Sequence, residues 1–232
     1  GERHEGGDPV LYVANHSSWL DIIVLSCVIP GSFVSKAEVR NWPIFGLLAR
    51  LQRSVFIERR RNLAADHRDE ISDRLGAGDK LILFPEGTSG DGNRVLPFKS
   101  ALFAVAERPV AGRPLTVQPV SVAYTKLDFM PMGRHLRPLF TWYGDMALGG
   151  HLWRMLGLGP STVAVTFHDP VSIADFPNRK ALADAARTAE SSLSIYVAIV
   201  PIFAGSPAFP TPSRSARCSV TSDDLDRAES RV

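Results

Sequence analysis

His16 and Asp21, separated by four residues in Asn15-His16-Ser17-Ser18-Trp19-Leu20-Asp21, have the side-chain types of an acid–base pair. A neutral imidazole, with an ordinary pKa of about 6.5, takes a proton from an alcohol near neutral pH. A carboxylate about one helical turn further on can hold its other ring nitrogen and stabilise the imidazolium that forms. The chemistry implied is activation of a hydroxyl group. A plainer pattern overlaps it: Ser18-x-x-Asp21 also fits a helix capping box, in which the acid satisfies a backbone donor. One carboxylate can serve both purposes.

Three further groups carry reactive or charged side chains. Glu86 lies in Phe84-Pro85-Glu86-Gly87-Thr88, where Gly87 lets the backbone approach a ligand; a tight turn with a solvated glutamate reads equally from the same residues. Arg59 ends Val55-Phe56-Ile57-Glu58-Arg59, with Arg60 and Arg61 behind it. Its planar fork suits bidentate grip of a phosphate or carboxylate, against a solvated basic turn. Arg94 and Lys99 add two cations after Gly90-Asp91-Gly92. Pro119 interrupts the apolar run Val117-Gln118-Pro119-Val120-Ser121-Val122, and proline in a strand marks an edge or a bulge.

The elements that must hold these residues follow from hydrophobic runs. Strands are expected at 10–14, 31–35, 54–58, 80–84, 116–123 and 162–168. Helices are expected from Asp21, over 62–75 with a stop at Gly76-Ala77-Gly78, over 100–107, and over 179–197 with an Asn178 cap. Residues 42–51 read either as a core helix or as a membrane-facing one. Strands alternating with helices predict an α/β fold in a single domain, with a mixed, largely parallel sheet flanked by helices. His16 then sits at a strand-to-helix junction, a usual place for chemistry in such folds. Residues 1–204 form the expected domain. Residues 205–232, with Pro207, Pro210 and Pro212 among serines and charges, form an expected disordered tail.

Composition narrows the class of function. The chain has 232 residues, 45% hydrophobic, which suffices for one good core. Cys27 and Cys218 form no CxxC pattern, which argues against a disulfide framework or a zinc site and fits a reducing compartment. Residues 22–29 and 193–204 are apolar but too short to span a bilayer. No secretory signal opens the chain, and its abrupt polar start leads us to expect that an N-terminal segment is missing. Net charge is only +2, yet five arginines lie between Arg50 and Asn62, and seven Lys/Arg between Arg94 and Arg137. Such clusters suit a phosphate-bearing small molecule or an anionic lipid surface; no nucleic-acid motif accompanies them.

The blocks Asn15–Asp21, Phe56-Ile57-Glu58-Arg59, Phe84-Pro85-Glu86-Gly87-Thr88 and Val117-x-Pro119-Val120 resemble, in order and spacing, the four-block pattern of the 1-acylglycerol-3-phosphate acyltransferase family. The resemblance runs well over residues 10–122 and more loosely to 197. It implies that His16 and Asp21 are the catalytic pair and that Arg59 grips the acceptor head group. It implies too that Glu86, Gly87 and Thr88 shape the acceptor site, and that Pro119 lies near the acyl-donor pocket. In the family, glycine usually stands where this chain has Arg53, and arginine follows Glu-Gly-Thr where this chain has Ser89. Loss of that arginine removes a phosphate clamp of about 1.5–3 kcal/mol, which Arg94 or Lys99 can replace. The stretch 86–94 is also similar to a bacterial branch that O-acylates lyso-ornithine lipid.

The expected reaction moves a fatty acyl group from acyl-CoA or acyl carrier protein to a lysolipid hydroxyl. The first acceptor is 1-acyl-sn-glycerol-3-phosphate, giving phosphatidic acid, and the alternative is lyso-ornithine lipid. Neither a resident cofactor nor a metal is expected, because the thioester is already activated. The expected location is the cytoplasmic face of the inner membrane. Docking there falls to Arg50, Arg53, Arg59, Arg60 and Arg61 with Trp42, Phe45 and Leu48. A thioesterase or esterase is the second alternative, although no Gly-x-Ser-x-Gly elbow occurs. A non-enzymatic membrane-binding module is a third, but it has no use for the pair.

Overall fold

A computed structural model describes residues 1–4, 6, 8–42, 45–57 and 64–191. Arg59, Arg60 and Arg61, the helix beyond residue 191 and the expected tail 205–232 lie outside these residues, as do the side chains of Phe45 and Leu48.

Val10–Ala14 is apolar at every position and wholly buried, the pattern of a strand covered on both faces. It forms β1, which pairs in parallel with β4 (Leu81–Leu83) on one side and β5 (Thr116–Leu127) on the other. Beyond β4 lie β2 (Ser32–Lys36) and β3 (Val55–Ile57), giving the parallel order β3-β2-β4-β1-β5. β5 outruns β1. Its outer edge carries antiparallel β7 (Ser161–Phe167) and β8 (Val171–Ser172), and its far end turns back into β6 (Met130–Pro131).

Alternate side chains of a strand point to opposite faces, and two apolar clusters result. Val10, Tyr12 and Ala14 join Ile82, Val120 and Val122 against α1 (Leu20–Val28) and α4 (Leu148–Leu156). Leu11 and Val13 join Leu81, Leu83 and Val117 on the other face. There they meet α3 (Ala64–Gly76), the 3-10 helix Ser100–Glu107 and α5 (Arg179–Ser191). The short α2 (Phe45–Leu51) precedes β3. No helix among the described residues is long and apolar enough to cross a membrane.

The mixed, mostly parallel sheet flanked by helices is the expected architecture, and all six expected strands are present. Among the differences are these. Residues 100–107 wind as a 3-10 helix. α4 was not among the expected helices; its two glycines lower helix propensity, and burial of Met155 in the core and of His151 against Trp19 holds it in place. Pro119, expected at an edge or bulge, lies inside the sheet, paired with Val13 of β1. Its carbonyl accepts from His168 N at 2.9 Å, in the gap between β7 and β8. Backbone N–H and C=O of one strand residue point to the same side, so the donor that proline lacks would have faced that gap and no ladder bond is lost.

Candidate active site

All five parallel strands end at the same edge of the sheet, and the turns after neighbouring strands β1 and β4 meet there. The turn after β1 is held from several directions. The Asn15 amide accepts from Val122 N at 2.7 Å and donates to Val122 O at 3.0 Å, extending the β1–β5 ladder by one side chain. His16 N donates to Glu86 Oε1 at 3.0 Å, and His16 O accepts from Gly90 N at 2.9 Å. Ser17 O accepts from Trp142 N at 2.8 Å.

Asp21, on the first turn of α1, is fully buried. Its Oδ2 lies 3.1 Å from His16 Nδ1 and accepts from Ser17 N and Ser18 N at 2.7 and 2.8 Å. Its Oδ1 accepts from Tyr124 O–H at 2.7 Å. The backbone-capping role and the imidazole-holding role therefore coexist in one carboxylate, as the sequence allowed. With Nδ1–H directed at Asp21, the basic nitrogen is Nε2, which has no hydrogen-bond partner among the described residues. The imidazole stacks on Phe84, with ring centroids 4.1 Å apart, and its side chain is 18% exposed. Tyr124, which stacks in turn on Phe140, escaped the sequence reading because nothing local in β5 announces a partner 103 residues away.

Glu86 is placed differently from expectation. It is buried beneath the turn and lines neither cleft described below, so it supports His16 instead of facing a ligand. Burial pushes its carboxyl up to about 7, against the hydrogen bonds from the His16 and Leu96 backbones, with the charge of Asp21 adding to the rise. Gly87 has φ +66°, and a β-carbon there would stand 2.5 Å from Lys99 Nζ. Only glycine makes this turn without displacing the lysine.

His16 lines two clefts. The first, about 450 Å³, has walls of Trp19, Ile22, Val34, Phe84 and Trp142, with Lys36, Gly87, Thr88 and Ser89 at its polar side. Trp19 Nε1 donates to His151 Nδ1 at 3.0 Å, and burial holds the pKa of that imidazole down, so it serves as the acceptor. Arg94 opens on the second cleft, about 370 Å³. Of the expected residues, the structure thus brings together His16, Asp21, Glu86, Gly87 and Thr88, with Lys99 over Gly87 and Arg94 across the turn. Pro119 is buried in β5 and lines neither cleft. Arg59 lies outside the described residues.

A buried carboxylate orienting an imidazole, at the C-terminal edge of an α/β sheet and beside an apolar cleft, defines a protein built to activate a hydroxyl or comparable nucleophile. Residues 1–123 match the Acyltransferase family, and the chain belongs to it. Its sequence is 51% identical over 187 residues to the lyso-ornithine lipid O-acyltransferase of Brucella abortus, covering 79% of this chain and 70% of that protein. It is 35% identical over 184 residues to the 1-acyl-sn-glycerol-3-phosphate acyltransferase of Neisseria gonorrhoeae, covering 78% of this chain and 67% of that one. The fold matches the crystal structure of the 1-acyl-sn-glycerophosphate acyltransferase PlsC from Thermotoga maritima with a TM-score of 0.54 and 25% identity. That match covers 80% of this chain and 65% of that one. The chain therefore spans about two thirds of the length of these relatives.

Proposed function

We propose that this protein transfers a fatty acyl group from acyl-CoA or acyl carrier protein to the hydroxyl of a lysolipid. The observation that carries the reading is the 3.1 Å contact between His16 Nδ1 and the buried Asp21 carboxylate. It leaves Nε2 as the basic nitrogen of a side chain that lines an apolar cleft. Nε2 takes the proton of the acceptor hydroxyl as its oxygen attacks the thioester carbonyl. Asp21 holds the tautomer and stabilises the imidazolium. The imidazolium then returns the proton to the departing thiolate, leaving an ester and a free thiol. General-base help of this kind contributes about 10²–10⁴ in rate. The reaction as written uses the energy of the thioester and draws on no further cofactor.

Between the two acceptors, lyso-ornithine lipid is favoured by the 51% identity to a protein of that name, against 35% for the lysophosphatidate enzyme. Ser89, at a position where an arginine would clamp a phosphomonoester, supports the same choice. The lipid acceptor calls for docking at a membrane surface, the cytoplasmic face by our reading. Leu47 and Leu51 of α2 are 55% and 72% exposed, and Trp42 stands half open beside Trp142 at the apolar cleft. Labelled acyl-CoA offered with lysophosphatidate and lyso-ornithine lipid side by side tests the reading. Acyl transfer to lyso-ornithine lipid in preference is the expected result. Thioester loss without any lipid acceptor would instead mark a hydrolase.

A further inference from the structure

His16 stands where two chambers of opposite character meet. The first is walled by aromatic and aliphatic side chains. The second is walled by Arg94, Arg137 and Arg187, which come from distant parts of the chain: the loop after Gly92, the 3-10 helix Arg137–Leu139 and α5. None of these arginines forms an ion pair with a carboxylate of the described residues. Arg137 Nε is buried without a hydrogen-bond partner. Burial and the neighbouring Arg134 both lower the pKa of its guanidinium, the mark of a positive charge that nothing offsets. The one carboxyl among the described residues lining this cleft is Glu190; it forms no ion pair with these arginines, and burial drives its pKa well up, which disfavours a compensating negative charge there. Three arginine forks around a concave space of about 370 Å³ are arranged for an oxyanion.

Given the proposed acyl transfer, two substrates must reach one base. A lysolipid is mostly hydrocarbon and matches the apolar chamber. A thioester on coenzyme A or acyl carrier protein arrives from water on a polar arm that ends in phosphate. We infer that Arg94, Arg137 and Arg187 bind the phosphate of the acyl donor's pantetheine arm, so that donor and acceptor enter through different clefts and meet at His16. The sites are then independent. Weakening one raises the KM of its own substrate only.

Steady-state kinetics on the whole chain test this. Arg187→Ala and Arg137→Lys should each raise the donor KM about tenfold or more, the loss expected for a charge-assisted hydrogen bond, while the acceptor KM stays put. Arg108→Ala, an exposed arginine lining neither cleft, controls for net charge and should change neither. An unmoved donor KM, or a rise in the acceptor KM instead, overturns the assignment. Should a variant fail to fold, competition on the unaltered protein reads the same site. 4′-Phosphopantetheine should inhibit against donor at least tenfold better than pantetheine, and equal inhibition overturns the proposal. If no lysolipid supports thioester turnover, the proposed function itself falls. Calorimetric binding of 4′-phosphopantetheine against pantetheine then still decides the cleft.

Discussion

The turns after β1 and β4 each place a buried carboxyl group at the same edge of the sheet, yet the two groups live in opposite circumstances. Asp21 receives two backbone N–H groups, a tyrosine hydroxyl and an imidazole. Glu86 receives the His16 and Leu96 backbones, its Oε2 has no hydrogen-bond partner among the described residues, and its carboxyl is pushed up to about 7. A buried carboxylate is tolerable when donors converge on it, and costly when they do not. The difference assigns the roles. Asp21, with donors converging on both oxygens, is equipped to orient the imidazole. Glu86 is equipped to hold a backbone in place, and a neutral group can do that as well as a charged one.

Breaking the first turn should have the largest effect. His16→Ala should cut acyl transfer by about 10²–10⁴ without loss of the fold, as read by turnover and circular dichroism. Near-normal turnover would remove the histidine from the mechanism. Asp21→Asn keeps the shape but directs an amide at groups that are themselves donors. Turnover should fall by at least about 10², and stability by about 1–3 kcal/mol for the donors left unsatisfied, measured by urea unfolding.

The contrast with Glu86 sharpens through pH. The folded protein keeps a proton on Glu86 that the unfolded chain has lost once pH passes the ordinary value of 4.5. The contribution of Glu86 to stability is therefore fully present below about 4.5 and is lost as pH rises towards and through about 7, by about 3 kcal/mol for this group. Glu86→Gln should retain the acceptor for His16 N and remove that decline. The difference in unfolding free energy between variant and wild type should grow from pH 4.5 to 7.5. A pH-independent difference would mean that Glu86 is ionised in the folded state.

The smallest expected effect lies away from both turns. Arg53 has φ +56°, a left-handed conformation that costs a non-glycine residue about 1 kcal/mol. The family pattern has glycine at this position, and Arg53→Gly should raise stability by about that amount in thermal unfolding.

Much of this molecule was legible along the chain. The apolar runs of β1 and β4 determine a buried parallel sheet because strands covered on both faces are apolar at every position. The spacing of His16 and Asp21 determines their meeting, since a turn and the first residues of a helix carry the carboxylate back to the imidazole. Local geometry sets both, so a sequence suffices. Tertiary structure alone decided the rest. Asn15 bonding Val122, Tyr124 reaching Asp21 and Glu86 lying under His16 join residues 70 to 107 positions apart. The arginine-lined cleft draws its walls from three separate segments. Which side chains face one another across such distances is set by strand order and register, and no periodicity within a single segment encodes that.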